Sequence, residues 1–416
     1  MRGDRMTSAA NVRTGPAAGQ LASGSGANAG EIDDRALVAR IVRAYQQAIA
    51  RDPDSRASEW AAVEDDKKRP IHEVLMSGDI AAITAILRDP SRTDLFYGFD
   101  NMCATLAAAA AVNKGELAKQ AEELLVRVAQ AIGVYPLPNK YFVAGDAPRS
   151  RASVEAPGLE DTLKLLDAAL GIRVEFANPF PGEFGAATSR GIASYRAIQA
   201  LYQAWRMSQL CGDLAAPRIV EIGAGLGRTA YYAWQLGLRD LTIIDIALSG
   251  VAQAYFLGRV LGADAVRLYG EEPGAGIRIL PPSAFLEASD HYDLLINIDS
   301  WTEMPKETAR QYLRSALARC AMIWSVNHEA ARFTVRELFA ETTIRPVARF
   351  PYWLRENYAD EFLDTGVARE RAEHAGTTVP TASRLIGRVR RRFAQMKRGF
   401  VRFGPINKLI TRLRRP

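Results

Sequence analysis

The chain carries two kinds of hydrophobic patterning. Up to about residue 177, apolar positions recur at three- and four-residue spacing, as in Leu37, Ile41, Tyr45 and Ala48 with polar residues between them. That spacing predicts amphipathic helices over 31–51, 71–87, 102–113, 116–132 and 159–170. From Arg218 onward, short apolar runs rich in β-branched residues alternate with helical stretches. Strands are predicted over 218–223, 241–246, either 266–269 or 277–280, 292–299 and 320–327. Ile219, Val220 and Ile222 leave no polar face, as in a parallel strand buried on both sides. A doubly wound α/β sheet after an α-helical N-terminal region is therefore expected. Near its end the pattern changes again. Pro346 and Pro351 interrupt the alternating apolar residues of 343–353, which fits an edge hairpin or a late antiparallel strand.

Punctuation divides the chain into four parts. Residues 1–30 mix Ala, Gly, Ser and Asn without an apolar h-region, so a disordered leader is expected rather than a signal peptide. A helical region follows over 31–177, interrupted at 134–157 by a Pro-, Gly- and aromatic-rich loop or irregular lid. The α/β domain is placed at 178–365. It opens with the turn-rich NPFPGEF of 178–184 and a long helix over 189–210. Residues 366–416 form a linker and tail.

Composition changes this picture at one point. The 416 residues have a net charge of +6, but 384–416 holds twelve of the 53 Lys and Arg and no acid, leaving 41 basic against 47 acidic residues elsewhere. The body is thus acidic, which disfavours nucleic-acid binding. In the tail, Leu385, Val389, Phe393, Met396 and Phe400 repeat at helical spacing among Arg and Lys. This predicts a basic amphipathic helix suited to an anionic membrane surface or to an acidic partner such as the protein's own body. Cys103, Cys211 and Cys320 are scattered and odd in number, and with four histidines they compose no familiar zinc site. No metal is assigned, and a cytoplasmic location, peripheral at the inner face of the membrane, is expected.

The chemistry concentrates in 218–245, RIVEIGAGLGRTAYYAWQLGLRDLTIID. Gly223, Gly225 and Gly227 permit positive φ and let a ligand approach the backbone. Asp245, at the tip of the second strand, is placed to accept both hydroxyl hydrogens of a ribose. In a dinucleotide fingerprint the third glycine would fall at residue 228, which here is Arg228. Glu221, Gly223, Gly225 and Gly227, spaced at every second residue, instead resemble the first motif of class I S-adenosylmethionine-dependent methyltransferases. An acidic start to the motif suits a cofactor that carries a sulfonium cation.

The stretch 178–362 also resembles the bacterial family of sugar O-methyltransferases found with polysaccharide-biosynthesis enzymes. The likeness is carried by EIGAGLGRTAYYA (221–233), LTIIDI (241–246), YDLLINIDSWTEM (292–304) and WSVNHEA (324–330). It implies a Rossmann-like class I methyltransferase domain, S-adenosyl-L-methionine as cofactor, and a sugar or glycan hydroxyl as acceptor in surface-glycan or glycoconjugate assembly. The N-terminal helices and basic tail lie outside it. Methylation of another small molecule, a dinucleotide-dependent oxidoreductase and a catalytically silent binding module are the alternatives.

Methyl transfer to oxygen needs a group that removes the acceptor proton. Candidates at the ends of the fourth and fifth strands are His328, Asp299 and Glu303, with Glu329 or Asp299 orienting the imidazole. Those carboxylates also offer hard oxygen ligands to a divalent ion, though at no recognisable metal spacing. Trp301 is read either as a platform for a sugar face or as core. In the loop after the third strand, Ser283 is expected to bind the adenine, with Phe285 packing on it or serving as core.

Overall fold

The computed structural model describes residues 34–52, 67–135, 157–212 and 214–367, apart from the side chains of 108–110. The leader, most of the 134–157 loop and the basic tail lie outside the described residues.

Six helices make up the N-terminal region: α1 (Arg35–Arg51), α2 (Arg69–Ser77), α3 (Ile80–Arg88), α4 (Ala104–Val112), α5 (Lys114–Ile132) and α6 (Leu159–Leu170). The single helix expected over 71–87 is two. Gly78 ends α2 in the left-handed region, and the Asp79 carboxylate starts α3 by accepting the Ala81 and Ala82 N–H groups at 3.0 Å each. The helix expected over 189–210 also starts later. Residues 186–193 form a small hairpin, β1 (Ala186–Thr188) with β2 (Gly191–Ala193), and the Ser194 hydroxyl then caps α7 (Tyr195–Cys211) through the Ala197 N–H.

The main sheet contains β3 (Arg218–Ile222), β4 (Asp240–Ile244), β5 (Val266–Leu268), β6 (Ile277–Leu280), β7 (Tyr292–Ile298), β8 (Cys320–His328), β9 (Ala348–Pro351) and β10 (Tyr358–Asp364). Both segments proposed for the third strand are strands, and β6 is the one beside β4. The order is β5-β6-β4-β3-β7-β8-β10-β9. All neighbours are parallel except β10, which runs antiparallel between β8 and β9. The predicted edge hairpin is therefore present, and Pro351 sits on its outermost strand, where a missing N–H costs no ladder bond. Apart from the added outer strand β5, this is the strand order of the class I methyltransferase fold, with the crevice where the order reverses at β3 and β7.

The remaining helices are α8 (Arg228–Gln235), α9 (Ala247–Leu261), α10 (Pro282–Leu286), α11 (Lys306–Arg319) and α12 (Val335–Ala340). Alternation along β3 feeds two cores. Ile219 joins Leu241, Ile243, α7, α8, α9 and the N-terminal helices on one face, whereas Val220 and Ile222 join Phe285, Leu295, Tyr312 and Leu338 on the other. The N-terminal region thus shares a core with the sheet. Buried Asp34 reinforces that join, its carboxylate accepting from Arg88 at 2.7 Å, Arg259 at 3.2 Å and the Tyr255 hydroxyl at 2.5 Å.

Candidate functional site

A cleft of about 340 Å³ opens over the carboxyl ends of β3, β4 and β7. Its floor is the turn from β3 into α8. Gly223, Gly225 and Gly227 all have positive φ, at 74°, 56° and 85°. At Gly223 a Cβ would lie 2.4 Å from the Ser300 side chain, so glycine is required there even without a ligand. Beneath the turn a polar lattice ties three strand ends together. Fully buried Asn297 donates to the Ile222 carbonyl at 3.1 Å, as Ser300 does at 2.8 Å, and Asn327 on β8 donates to Asn297 at 2.8 Å.

Two carboxyl groups face the cleft from adjacent strands. Asp245 accepts from the Ala224 N–H at 3.0 Å, the Ile246 N–H at 2.9 Å and Gln253 at 2.7 Å. A carboxylate has about four acceptor positions. Asp245 thus has room for one ribose hydroxyl, not the two expected from sequence. Burial pushes its pKa up to about 6 against those hydrogen bonds and the Lys68 cation. Glu221 is buried and has no hydrogen-bond partner among the described residues. Burial, with Asp245 beside it, raises its pKa to about 8.

Residues that sequence reasoning left out form the roof. Lys68 and the segment Tyr97, Gly98, Phe99 and Asp100 come from the N-terminal region and line the cleft opposite the glycine turn. Arg228, at the position that excluded a dinucleotide fingerprint, holds them there. Its buried guanidinium meets Asp100 at 3.2 Å and Glu183 at 2.7 Å. The NPFPGEF segment also packs Phe180 edge-on against Phe96, with ring centroids 4.9 Å apart. Only its place as the one charged residue of the helix Arg228–Gln235 hinted at this clamp in the sequence.

On the opposite rim stands Asp299, just past β7, with φ of 58°. This left-handed conformation is unusual for a residue bearing a Cβ, and is tolerated best by Asn and Asp. The Asp299 N–H donates to the Val326 carbonyl at 2.7 Å, while its carboxylate accepts from Arg355 at 2.6 Å and from the Tyr358 hydroxyl at 2.9 Å. Burial and the nearby Asp299 keep the Tyr358 phenol protonated by raising its pKa. Glu303, in the 3-10 turn Trp301–Glu303, lines the same cleft.

The other candidates lie elsewhere. His328 is not part of the cleft wall; its ring sits 5.5 Å from that of Tyr358, its cross-strand neighbour. Glu329 turns outward to Arg349 at 2.6 Å. Ser283 is buried outside the cleft, where its N–H donates to Asp52 at 3.1 Å. Phe285 and Trp301 are fully buried in the second core, Trp301 edge-on to Phe339, so neither faces a ligand. Among the described residues no group of three or more His, Cys, Asp or Glu is arranged to hold a metal ion, and no helix is long and apolar enough to cross a membrane.

No family model matches the chain, and no curated protein matches it in sequence. Solved structures do. Magnesium protoporphyrin IX methyltransferase from Synechocystis PCC 6803 with bound S-adenosylhomocysteine is 14% identical with a TM-score of 0.31, the match covering 41% of this chain and 81% of that one. For ribosomal protein L11 methylase from Lactobacillus delbrueckii subsp. bulgaricus the values are 13%, 0.28, 40% and 78%. TrmK from M. capricolum, in complex with S-adenosylhomocysteine, gives 10%, 0.30, 39% and 68%. Likeness at this level says nothing about chemistry, and the fold assignment stands on the strand order.

Proposed function

We propose that this protein is an S-adenosylmethionine-dependent O-methyltransferase whose acceptor is a sugar hydroxyl in glycan or glycoconjugate assembly. The observation that carries the reading is the disposition of three carboxyl groups about one cleft. Glu221 and Asp245 stand on adjacent strand ends beside the glycine turn, and Asp299 follows β7, the strand on the other side of β3. The lining fits the cofactor. Gly225 leaves the turn open, Asp245 keeps one acceptor position for a ribose hydroxyl, and Glu221 offers a carboxyl group without a partner to a cation.

When bound, S-adenosylmethionine supplies an electrophilic methyl group on its sulfonium sulfur. The chain supplies the rest. Asp299, fixed by Arg355 and Tyr358, is the carboxylate placed to take the acceptor's hydroxyl proton, with Glu303 beside it on the same wall. The Lys68 and 97–100 roof and the glycine floor bound the space between them. The sugar class of acceptor rests on the resemblance over 178–362. The basic stripe of 384–416 belongs to the same reading, as a segment that holds a cytoplasmic enzyme against an anionic membrane face. Salt-independent sedimentation with anionic liposomes, or none at all, would remove that part.

Parallel calorimetric titrations with S-adenosylhomocysteine and NAD test the cofactor. Methyl-labelled S-adenosylmethionine offered with monosaccharides, nucleotide sugars and non-sugar alcohols tests the acceptor. Binding of S-adenosylhomocysteine alone and label in a sugar are expected. Binding of NAD alone would return the protein to the oxidoreductases, and label confined to a non-sugar would replace the acceptor class.

A further inference from the structure

Among the described residues, three of the four cations lining the cleft face an anion. Arg228 is matched by Asp100 and Glu183, and Arg355 by Asp299. Lys68 lies over the Phe99 ring and opposes Asp245. Arg196, in the first turn of α7, lines the same cleft, yet among the described residues it has no carboxylate within ion-pair distance and no hydrogen-bond partner. One helical turn further on, Gln199 is 4% exposed and lines the cleft too. Its amide lies close enough to the Tyr195 phenol to offset part of the burial that raises that group's pKa, yet among the described residues its Nε2 finds no acceptor in hydrogen-bond geometry. A buried amide N–H left unpaired costs about 1–3 kcal/mol. Residues three apart lie on one face of a helix, so the two side chains stand together on one wall of the cleft.

From this geometry we infer an anion subsite in the acceptor half of the cleft, built from the Arg196 guanidinium and the Gln199 amide. Resting on the methyltransferase reading, it narrows the acceptor to one that carries a phosphate or carboxylate near the methylated hydroxyl. Three observations place the subsite on the acceptor side. Tyr195, adjacent to Arg196, donates to the Leu354 carbonyl at 3.4 Å, next to Arg355, which grips Asp299 at 2.6 Å. The Tyr195 phenol also lies within the fields of Arg196, Arg355 and Asp299 together. Arg355 neutralises Asp299, so an incoming anion does not meet a bare carboxylate there. The N-terminal end of the 17-residue helix α7 adds its positive end to the same region.

The test uses full-length protein saturated with S-adenosylhomocysteine and titrated with inorganic phosphate, D-glucuronate and D-glucose, with chemical shifts or calorimetry as readout. Phosphate or glucuronate should bind, and Arg196→Gln should weaken that binding at least tenfold while leaving affinity for S-adenosylhomocysteine within twofold. Gln199→Leu, nearly equal in size, should weaken it by a smaller factor and leave the fold intact by circular dichroism. Loss of S-adenosylhomocysteine affinity in Arg196→Gln would assign the guanidinium to the cofactor's own carboxylate and overturn the proposal. So would anion binding that is absent, or equal in wild type and Arg196→Gln. Arg196-dependent phosphate binding in a protein that fails to bind S-adenosylhomocysteine would keep the subsite and overturn the methyltransferase reading instead.

Discussion

The two halves of the cleft are built on different principles. The floor comes from one local unit, β3, the glycine turn, α8 and β4, in which Glu221 and Asp245 are 24 positions apart and the cleft is lined by the turn and by strand-end carboxyls. The rim proposed to receive the acceptor is assembled from Arg196 and Gln199 on α7, Asp299 after β7, Arg355 just ahead of β10 and Tyr358 at its start. A backbone-made half leaves a spacing signature in the chain, because glycine is the residue that supplies positive φ and close approach. A side-chain-made half leaves none, since any strand end or loop can deliver an arginine or a tyrosine. It follows that cofactor chemistry is read more readily from such a chain than acceptor chemistry.

The sharpest way to break this comparison is at the acceptor rim. Asp299→Asn keeps a residue that tolerates φ near 58° and retains the shape of the side chain, but removes the proton acceptor. Turnover should fall by about 10²–10⁴-fold, the usual contribution of a general base, with S-adenosylhomocysteine affinity unchanged. His328→Ala should stay within a few-fold of wild type, because its ring is outside the cleft wall. Comparable collapse in His328→Ala with near-normal Asp299→Asn would restore the imidazole as base and move the reacting centre toward β8.

The cofactor side should respond in binding rather than turnover. Gly225 has φ of 56° and its nearest non-neighbour, Phe99 Cβ, would lie 3.7 Å from an added Cβ, so a valine there meets strain and narrows the gap between floor and roof. Gly225→Val should reduce S-adenosylhomocysteine affinity more than about a hundredfold, which corresponds to ~2.7 kcal/mol. Asp245→Ala should cost less, about 1.5–3 kcal/mol for a charge-assisted hydrogen bond, and nearer the lower end because only one acceptor position is open. Calorimetry that ranks Asp245→Ala above Gly225→Val would mean that the carboxylate, not the backbone turn, dominates this half.

How far the chain could be read follows the same division. The apolar runs of β3, β4, β7 and β8 and the glycine turn appear where the pattern predicts them, since a strand buried on both faces has no other use for so many β-branched residues. The break at Gly78 and Asp79 was also written in the chain, as a left-handed cap followed by an N-cap, but periodicity ran across it. Trp301 and Phe285 went to the core because aromatic rings at helix starts bury as well as they bind. The Arg228 clamp needed partners 128 and 45 positions away, and Ser283 was claimed by Asp52 from the end of α1. Pairings at that separation are decided by topology, which local patterning does not carry.

The smallest expected effect concerns Glu221 and turns on the sign of its proton linkage. In the fold its pKa is raised from 4.5 to about 8, and that of Asp245 from 3.8 to about 6, both first by burial. Well below 3.8 both groups are protonated whether the chain is folded or not, and the shifts cost nothing. As pH rises from ~4 to ~8 the unfolded chain ionises first, the folded state binds more protons, and stability falls. The Tm of the ligand-free protein should therefore decline across this range, and Glu221→Gln should remove most of the slope above about pH 6. A cation docked beside Glu221 favours its ionised form, so binding at pH 7 should release up to about one proton, seen calorimetrically as an enthalpy that varies with the buffer's ionisation heat. If Glu221 faces the sulfonium, S-adenosylmethionine should release more than S-adenosylhomocysteine, whereas equal release would point to the ammonium that both molecules carry. Buffer-independent enthalpies in wild type and Glu221→Gln alike would leave Glu221 as a buried acid with no cation to meet, and the cofactor half would lose the charge that distinguishes it from a dinucleotide site.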